Sequence, residues 1–118
     1  MKTLKRLAEL NSEDLKMYHT LRSNLETDVF NDYFDEFLQR IARVKSLCEH
    51  PTEDVYEEID RINDEDLKLF DSLWPIHKET FWNNMYQVLS DWEGRILEVG
   101  ELVHEHKTIV IGGELITT

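Results

Sequence analysis

Glu101 and His104 stand three residues apart in "ELVHEH", a spacing that sets a carboxylate and an imidazole on one side of a helix. Di-iron carboxylate sites in helical bundles use two such motifs plus two further glutamates. Here Glu98 lies one turn earlier and His106 follows, but only one motif is present. The matching stretch 52 residues upstream puts Glu49 against Glu101 and Thr52 against His104, with Pro51 breaking the helix between them. Lone imidazoles near a helix C-terminus sit well against its negative end, so the cluster reads as a solvated helix end, and no metal or cofactor is expected. A metal-dependent enzyme using Glu101 and His104 is the third-ranked reading. Cys48 lies in an apolar stripe without a helix N-terminus or a basic neighbour to lower its pKa, which makes it a structural thiol. No Ser-His-Asp order, phosphate loop or dinucleotide glycine motif occurs. The chemistry expected is therefore non-enzymatic.

The densest charge lies in "PTEDVYEEIDRINDEDLKLFD", where nine acids between Glu53 and Asp71 face Arg61 and Lys68 alone. If Val55, Ile59 and Ile62 face the core, then Glu53, Asp54, Glu57, Glu58 and Asp60 point mostly outward, with Asp64 and Glu65 beyond them. The pairs Glu53/Glu57 and Asp54/Glu58 repel at i, i+4 spacing. The chain as a whole carries a formal charge of −12, unevenly spread. Residues 1–50 hold 8 basic and 9 acidic side chains, and residues 51–118 hold 5 and 16. Such a surface repels nucleic-acid phosphates and anionic membranes and attracts basic protein surfaces. Direct nucleic-acid binding and membrane association are not expected. The leading functional reading is a small acidic interaction module, an inhibitor or adaptor. It would dock on a basic protein through Glu53, Asp54, Glu57, Glu58, Asp60, Asp64 and Glu65, with imitation of nucleic-acid phosphates as one form of that docking. Size and charge of this kind also suit a phage accessory protein.

Two stretches must position these side chains, and they look alike. "LNSEDLKMYHTL" at 10–21 and "INDEDLKLFDSL" at 62–73 stand 52 residues apart, and a gapless extension aligns Asn31 with Asn83. Over 11–37 against 63–89, seven of 27 positions are identical. The pattern predicts a duplicated helical hairpin, repeat 1 at about 1–52 and repeat 2 at about 53–106. Asn11 and Asn63 read as N-caps, with acids in the first turn and Leu10/Leu15 or Ile62/Leu67 at staple spacing. Each repeat is thus expected to bend sharply at its asparagine. A long helix is predicted from about Asp28 to Cys48, ended by Pro51, and another from about Ile76 to His104. Their apolar residues recur at three- and four-residue steps, the seam of an antiparallel bundle. The fold class predicted is all-α, a helical bundle over 1–106.

The chain closes with "HKTIVIGGELITT", which reads as a β-hairpin at 107–118 turning on Gly112-Gly113. Since a two-stranded hairpin is marginal alone, Thr108, Ile109, Val110, Ile111, Leu115 and Ile116 are candidates for self-association, with a homodimer as one outcome. A structural or assembly protein built on that contact is the second functional reading. One cysteine excludes an internal disulfide framework. The basic N-terminus develops no signal-peptide core and no stretch is apolar enough to span a bilayer, so a cytoplasmic location is expected.

Overall fold

The computed structural model describes the backbone of residues 2–24, 28–75 and 84–117, and the side chains of 2–24, 31–75 and 84–105. Four helices follow in order: α1 (Lys2–Asn24), α2 (Asp28–Glu49), α3 (Val55–Leu73) and α4 (Met85–Thr117). Among the described residues α1 packs on α2 and α4, α3 packs on the same two, and the diagonal pair α2 and α4 meets through core side chains such as Phe37 and Trp92. Asn11 meets Ile41, Arg40 meets Asp66, Asn63 meets Ile96 and Arg6 meets Glu98. Low numbers on one helix thus face high numbers on the next, so all four neighbouring pairs run antiparallel. The all-α bundle expected from the seam pattern is the architecture observed.

The helices follow the apolar spacing, although α4 is bounded by Met85 and Thr117 where about Ile76 and His104 were expected. Leu4, Leu7, Leu10, Met17, Tyr18 and Leu21 line the inner side of α1, and Phe34, Phe37, Ile41, Val44 and Leu47 that of α2. α2 stops at Glu49, two residues before Pro51, whose ring disfavours helical geometry in His50. The core divides into two apolar clusters. One gathers Leu21, Phe34, Phe37, Leu73, Leu89 and Trp92, and the other Leu4, Leu7, Leu47, Val55, Ile59 and Val103. Trp92 is fully buried between the Phe37 and Phe70 rings, and its indole N–H finds no acceptor among the described residues.

Three sequence expectations change. The predicted bends at Asn11 and Asn63 are absent: α1 and α3 each run straight through them. Neither site holds a glycine or proline, and the apolar spacing continues unbroken across both, so nothing interrupts the helix. Leu15 and Leu67, expected as staple residues, are 37% and 40% exposed, while Asp14 and Asp66, expected in solvated first turns, are each only 8% exposed. At the C-terminus, the backbone of α4 continues to Thr117, and no strand occurs among the described residues. A helix already nucleated extends residue by residue, whereas an isolated hairpin needs cover for both faces. The hairpin at 107–118 is therefore unconfirmed, and the side chains of Thr108, Ile109, Val110, Ile111, Leu115 and Ile116 lie outside the described residues, as does Asn83.

Gly94 and Gly100 lie within α4, and neither is required there by a close approach of another element. A Cβ at Gly94 would meet nothing within 4 Å, and one at Gly100 only the Asn63 amide at 3.7 Å. Gly94→Ala should therefore stabilise the fold by about 0.5–1 kcal/mol through helix propensity alone, read from chemical denaturation midpoints.

Candidate functional site

A polar layer separates the two apolar clusters and sets the register of everything outside it. The Asn11 side-chain amide donates to the Ile41 carbonyl at 2.9 Å, and the Asn63 amide donates to the Ile96 carbonyl at 3.0 Å. One turn along, Arg95 Nε donates to Asp14 Oδ1 at 2.7 Å, and Arg40 Nε donates to Asp66 Oδ1 at 2.6 Å. All four charged side chains are largely buried. A void of about 20 Å³ sits among Asn11, Asp14, Asn63 and Asp66. Burial pushes the Asp14 carboxyl up to about 6 and Asp66 up to about 7. The facing arginines pull both back only in part, and the charge of Asp14 raises Asp66 further.

These contacts show how the halves correspond. Asn11, Asp14 and Leu21 match Asn63, Asp66 and Leu73 at the expected offset of 52, but Arg40 and Ile41 match Arg95 and Ile96 at 55. Val44/Val99 and Leu47/Leu102 keep the second offset. Between corresponding positions, the chain from α3 to α4 is thus three residues longer than that from α1 to α2. The gapless alignment that paired Asn31 with Asn83 does not describe α2 and α4, where Asn31 corresponds to Tyr86. The signal for the layer was present in the sequence: Asp14 falls on the stripe Leu7, Leu10, Met17, Leu21, and Asp66 on the stripe Ile59, Leu69, Leu73.

The acidic residues of α3 divide into two groups. Glu58 is held by Arg43 at 2.7 Å, Glu65 by Lys68 at 3.0 Å, and Asp54 accepts the Thr52 hydroxyl at 2.8 Å. Glu53, Glu57 and Asp64 are exposed, with no ion pair among the described residues, and Asp60 lies half-buried beside them. Steps of three and four residues place Glu57, Asp60 and Asp64 in one file along α3, and Glu53 stands in the turn before it. That file borders the outer side of the α3–α4 pair, where Leu67 and Leu97 stand 40% and 59% exposed and Glu93 is exposed.

The opposite side of the bundle, between α1 and α2, carries an open apolar groove of about 770 Å³. Leu4, Ala8, Leu38, Ile41 and Ala42 line it, together with the exposed Lys5, Lys45 and Glu49. Cys48 lines one end, half-buried, and burial raises its thiol pKa, which disfavours the thiolate needed for nucleophilic chemistry.

Around "ELVHEH", Glu98 is taken by a two-pronged bond from Arg6, at 2.6 and 3.0 Å, which holds its carboxyl below the usual range. Glu101 and His104 are exposed. No group of three or more His, Cys, Asp or Glu side chains with metal-binding arrangement occurs among the described residues. No helix among them is long and apolar enough to cross a membrane.

Compared with protein-family models, curated proteins and solved structures, the chain shows no match.

Proposed function

We propose that this chain is a non-enzymatic interaction module, an inhibitor or adaptor, built from a duplicated helical hairpin and docking on the basic surface of a partner protein. The observation that carries this reading is the exposed set Glu53, Glu57 and Asp64 beside Leu67 and Leu97. It combines solvated carboxylates, which steer and orient a basic partner, with exposed apolar side chains that gain from being covered. A merely solubilising face has no use for two exposed leucines at its centre. Of the seven acids named from sequence, Glu58, Glu65, Asp54 and Asp60 contribute less to docking, because each already has a partner within the chain.

The test follows from that division. Glu53→Gln, Glu57→Gln and Asp64→Asn together leave every internal ion pair intact, so the variant should keep the wild-type circular dichroism spectrum. Wild-type chain should capture a basic protein from host lysate and release it at moderate salt, since exposed charges are screened over about 10 Å at 0.1 M. The triple variant should capture it at least about tenfold less, a change of about 1.4 kcal/mol. Equal capture by the variant contradicts the reading. If the captured protein binds nucleic acid, competition by duplex DNA tests whether the carboxylates stand in for phosphates.

A further inference from the structure

The groove between α1 and α2 and the acidic ridge of α3 and α4 occupy corresponding positions on opposite sides of the bundle, and they have diverged in opposite directions. By the offset of 52, Lys5 corresponds to Glu57, Ala8 to Asp60, Ser12 to Asp64 and Leu15 to Leu67. By the offset of 55, Leu38 corresponds to Glu93, Ala42 to Leu97 and Lys45 to Gly100. Where the groove has a methyl at Ala42, the ridge has the most exposed large apolar side chain described, Leu97 at 59%. Where the groove carries Lys5 and Lys45, with Glu49 beside Cys48 as the acid in its lining, the ridge carries Glu57, Asp64 and Glu93. Lys5 and Lys45 have no ion pair among the described residues, and neither do Glu57, Asp64 and Glu93. One side is a hole flanked by lysines and the other a knob flanked by acids.

We propose that the α1–α2 groove receives the α3–α4 ridge of a second copy, with Leu97 entering between Ala8 and Ala42 and the Lys5 and Lys45 ammonium groups meeting Glu57, Asp64 and Glu93. Groove and ridge lie on opposite sides of one molecule, so the contact is head-to-tail. A head-to-tail contact does not close at two copies and adds further molecules in a row unless the rotation closes a ring. The inference uses the docking face of the preceding section and names a partner for it. It also assigns a role to the groove, which that reading leaves unused.

The experiment is sedimentation equilibrium of the full chain near neutral pH in about 0.1 M salt, from about 1 μM to about 1 mM, the range in which small interfaces of under about 1,200 Å² associate. Wild-type mass should rise with concentration and pass that of a dimer. Lys5→Glu with Lys45→Glu should stay monomeric, as should Glu57→Lys with Asp64→Lys and Glu93→Lys. An equimolar mixture of the two swapped chains should associate again, because each groove then finds a ridge of opposite charge. Leu97→Ala should weaken association at least about tenfold. As a second readout on unaltered protein, alkylation of Cys48 by N-ethylmaleimide should slow as concentration rises, since Cys48 lines the groove.

A monomer across the whole range with concentration-independent alkylation overturns the proposal. So does a mixture of folded swapped chains that stays monomeric. The Lys5→Glu, Lys45→Glu chain keeps its acidic ridge, so capture of a foreign basic protein by it tests the docking reading separately. Retained capture without wild-type self-association defeats the second-copy inference alone, and undiminished capture by the ridge variant with self-association retained in the wild type defeats the foreign-partner reading alone.

Discussion

Replacing Arg95 with methionine should destabilise the fold by about 3–5 kcal/mol at pH 8, the usual cost of removing one partner from a buried ion pair. Arg95 Nε lies 2.7 Å from Asp14 Oδ1, its Nη2 reaches the Met17 sulfur at 3.2 Å, and Asp14 is 8% exposed. Methionine fills much of the space but leaves a carboxylate with no cation in a layer that also holds Asp66. The loss should shrink on acidification, because Asp14, already raised to about 6, escapes its isolation by taking a proton. Asp14→Asn makes the opposite error. It leaves a buried guanidinium that does not deprotonate, and its cost should be larger at pH 5 than at pH 8, because only the wild type gains there from protonation of Asp14. The double variant Asp14→Asn, Arg95→Met removes both charges and should recover most of the loss. Urea denaturation of the three variants at both pH values separates these cases. A cost for Arg95→Met that is the same at pH 5 and pH 8 would show that Asp14 does not bear the loss.

That layer is where sequence and structure differ most, and the reason is physical. The helices were legible because each buries an apolar stripe at three- and four-residue spacing, which a few charges do not disturb. Phe34, Phe37, Ile41, Leu89, Trp92 and Ile96 all fall where the spacing puts them. Asn11 and Asp14 were misread because the same residues that cap a helix start can also bridge two helices, and local sequence does not distinguish the cases. Only the cross-helix partner decides, and Ile41 and Arg95 are 30 and 81 residues away. The 52-residue spacing aligned two asparagines and two aspartates, but three extra residues between the corresponding positions of the second half hid the matching of Arg40 with Arg95. On the surface, exposed acids were found by composition. Composition does not show that Arg43 occupies Glu58 while Glu57 remains solvated, since that depends on α2 lying against one side of α3. The groove was not anticipated because Ala8 and Ala42 are unremarkable in each helix alone and matter only when the two helices line one groove together.

The wild-type protein should be most stable near pH 5, and its melting temperature should fall by at least about 10 °C by pH 8. Asp14 and Asp66 ionise near 3.8 in the unfolded chain but near 6 and 7 in the fold. Between those limits the native state holds protons that the unfolded state has released, so the unfolding free energy declines as pH rises. The favourable contribution is complete below about 4 and is lost by about 7, at about 1.4 kcal/mol for each unit of pKa difference. Glu98 works in the other sense: Arg6 lowers its pKa, so its contribution is present at neutral pH and lost as acid protonates it. The two trends cross on the acid side of neutrality, which puts the maximum there. Relief of repulsion within a chain of charge −12 acts in the same direction as Asp14 and Asp66. Thermal melts from pH 4 to pH 9 measure the profile. The quadruple replacement Asp14→Asn, Asp66→Asn, Arg40→Met and Arg95→Met keeps the surface charge almost unchanged and should flatten the profile between pH 5 and pH 8. If the slope survives that replacement, it arises from the acidic surface as a whole. If it disappears, the central carboxylates make the bundle less stable at neutral pH in return for a fixed helix register, on which the alignment of groove and ridge depends.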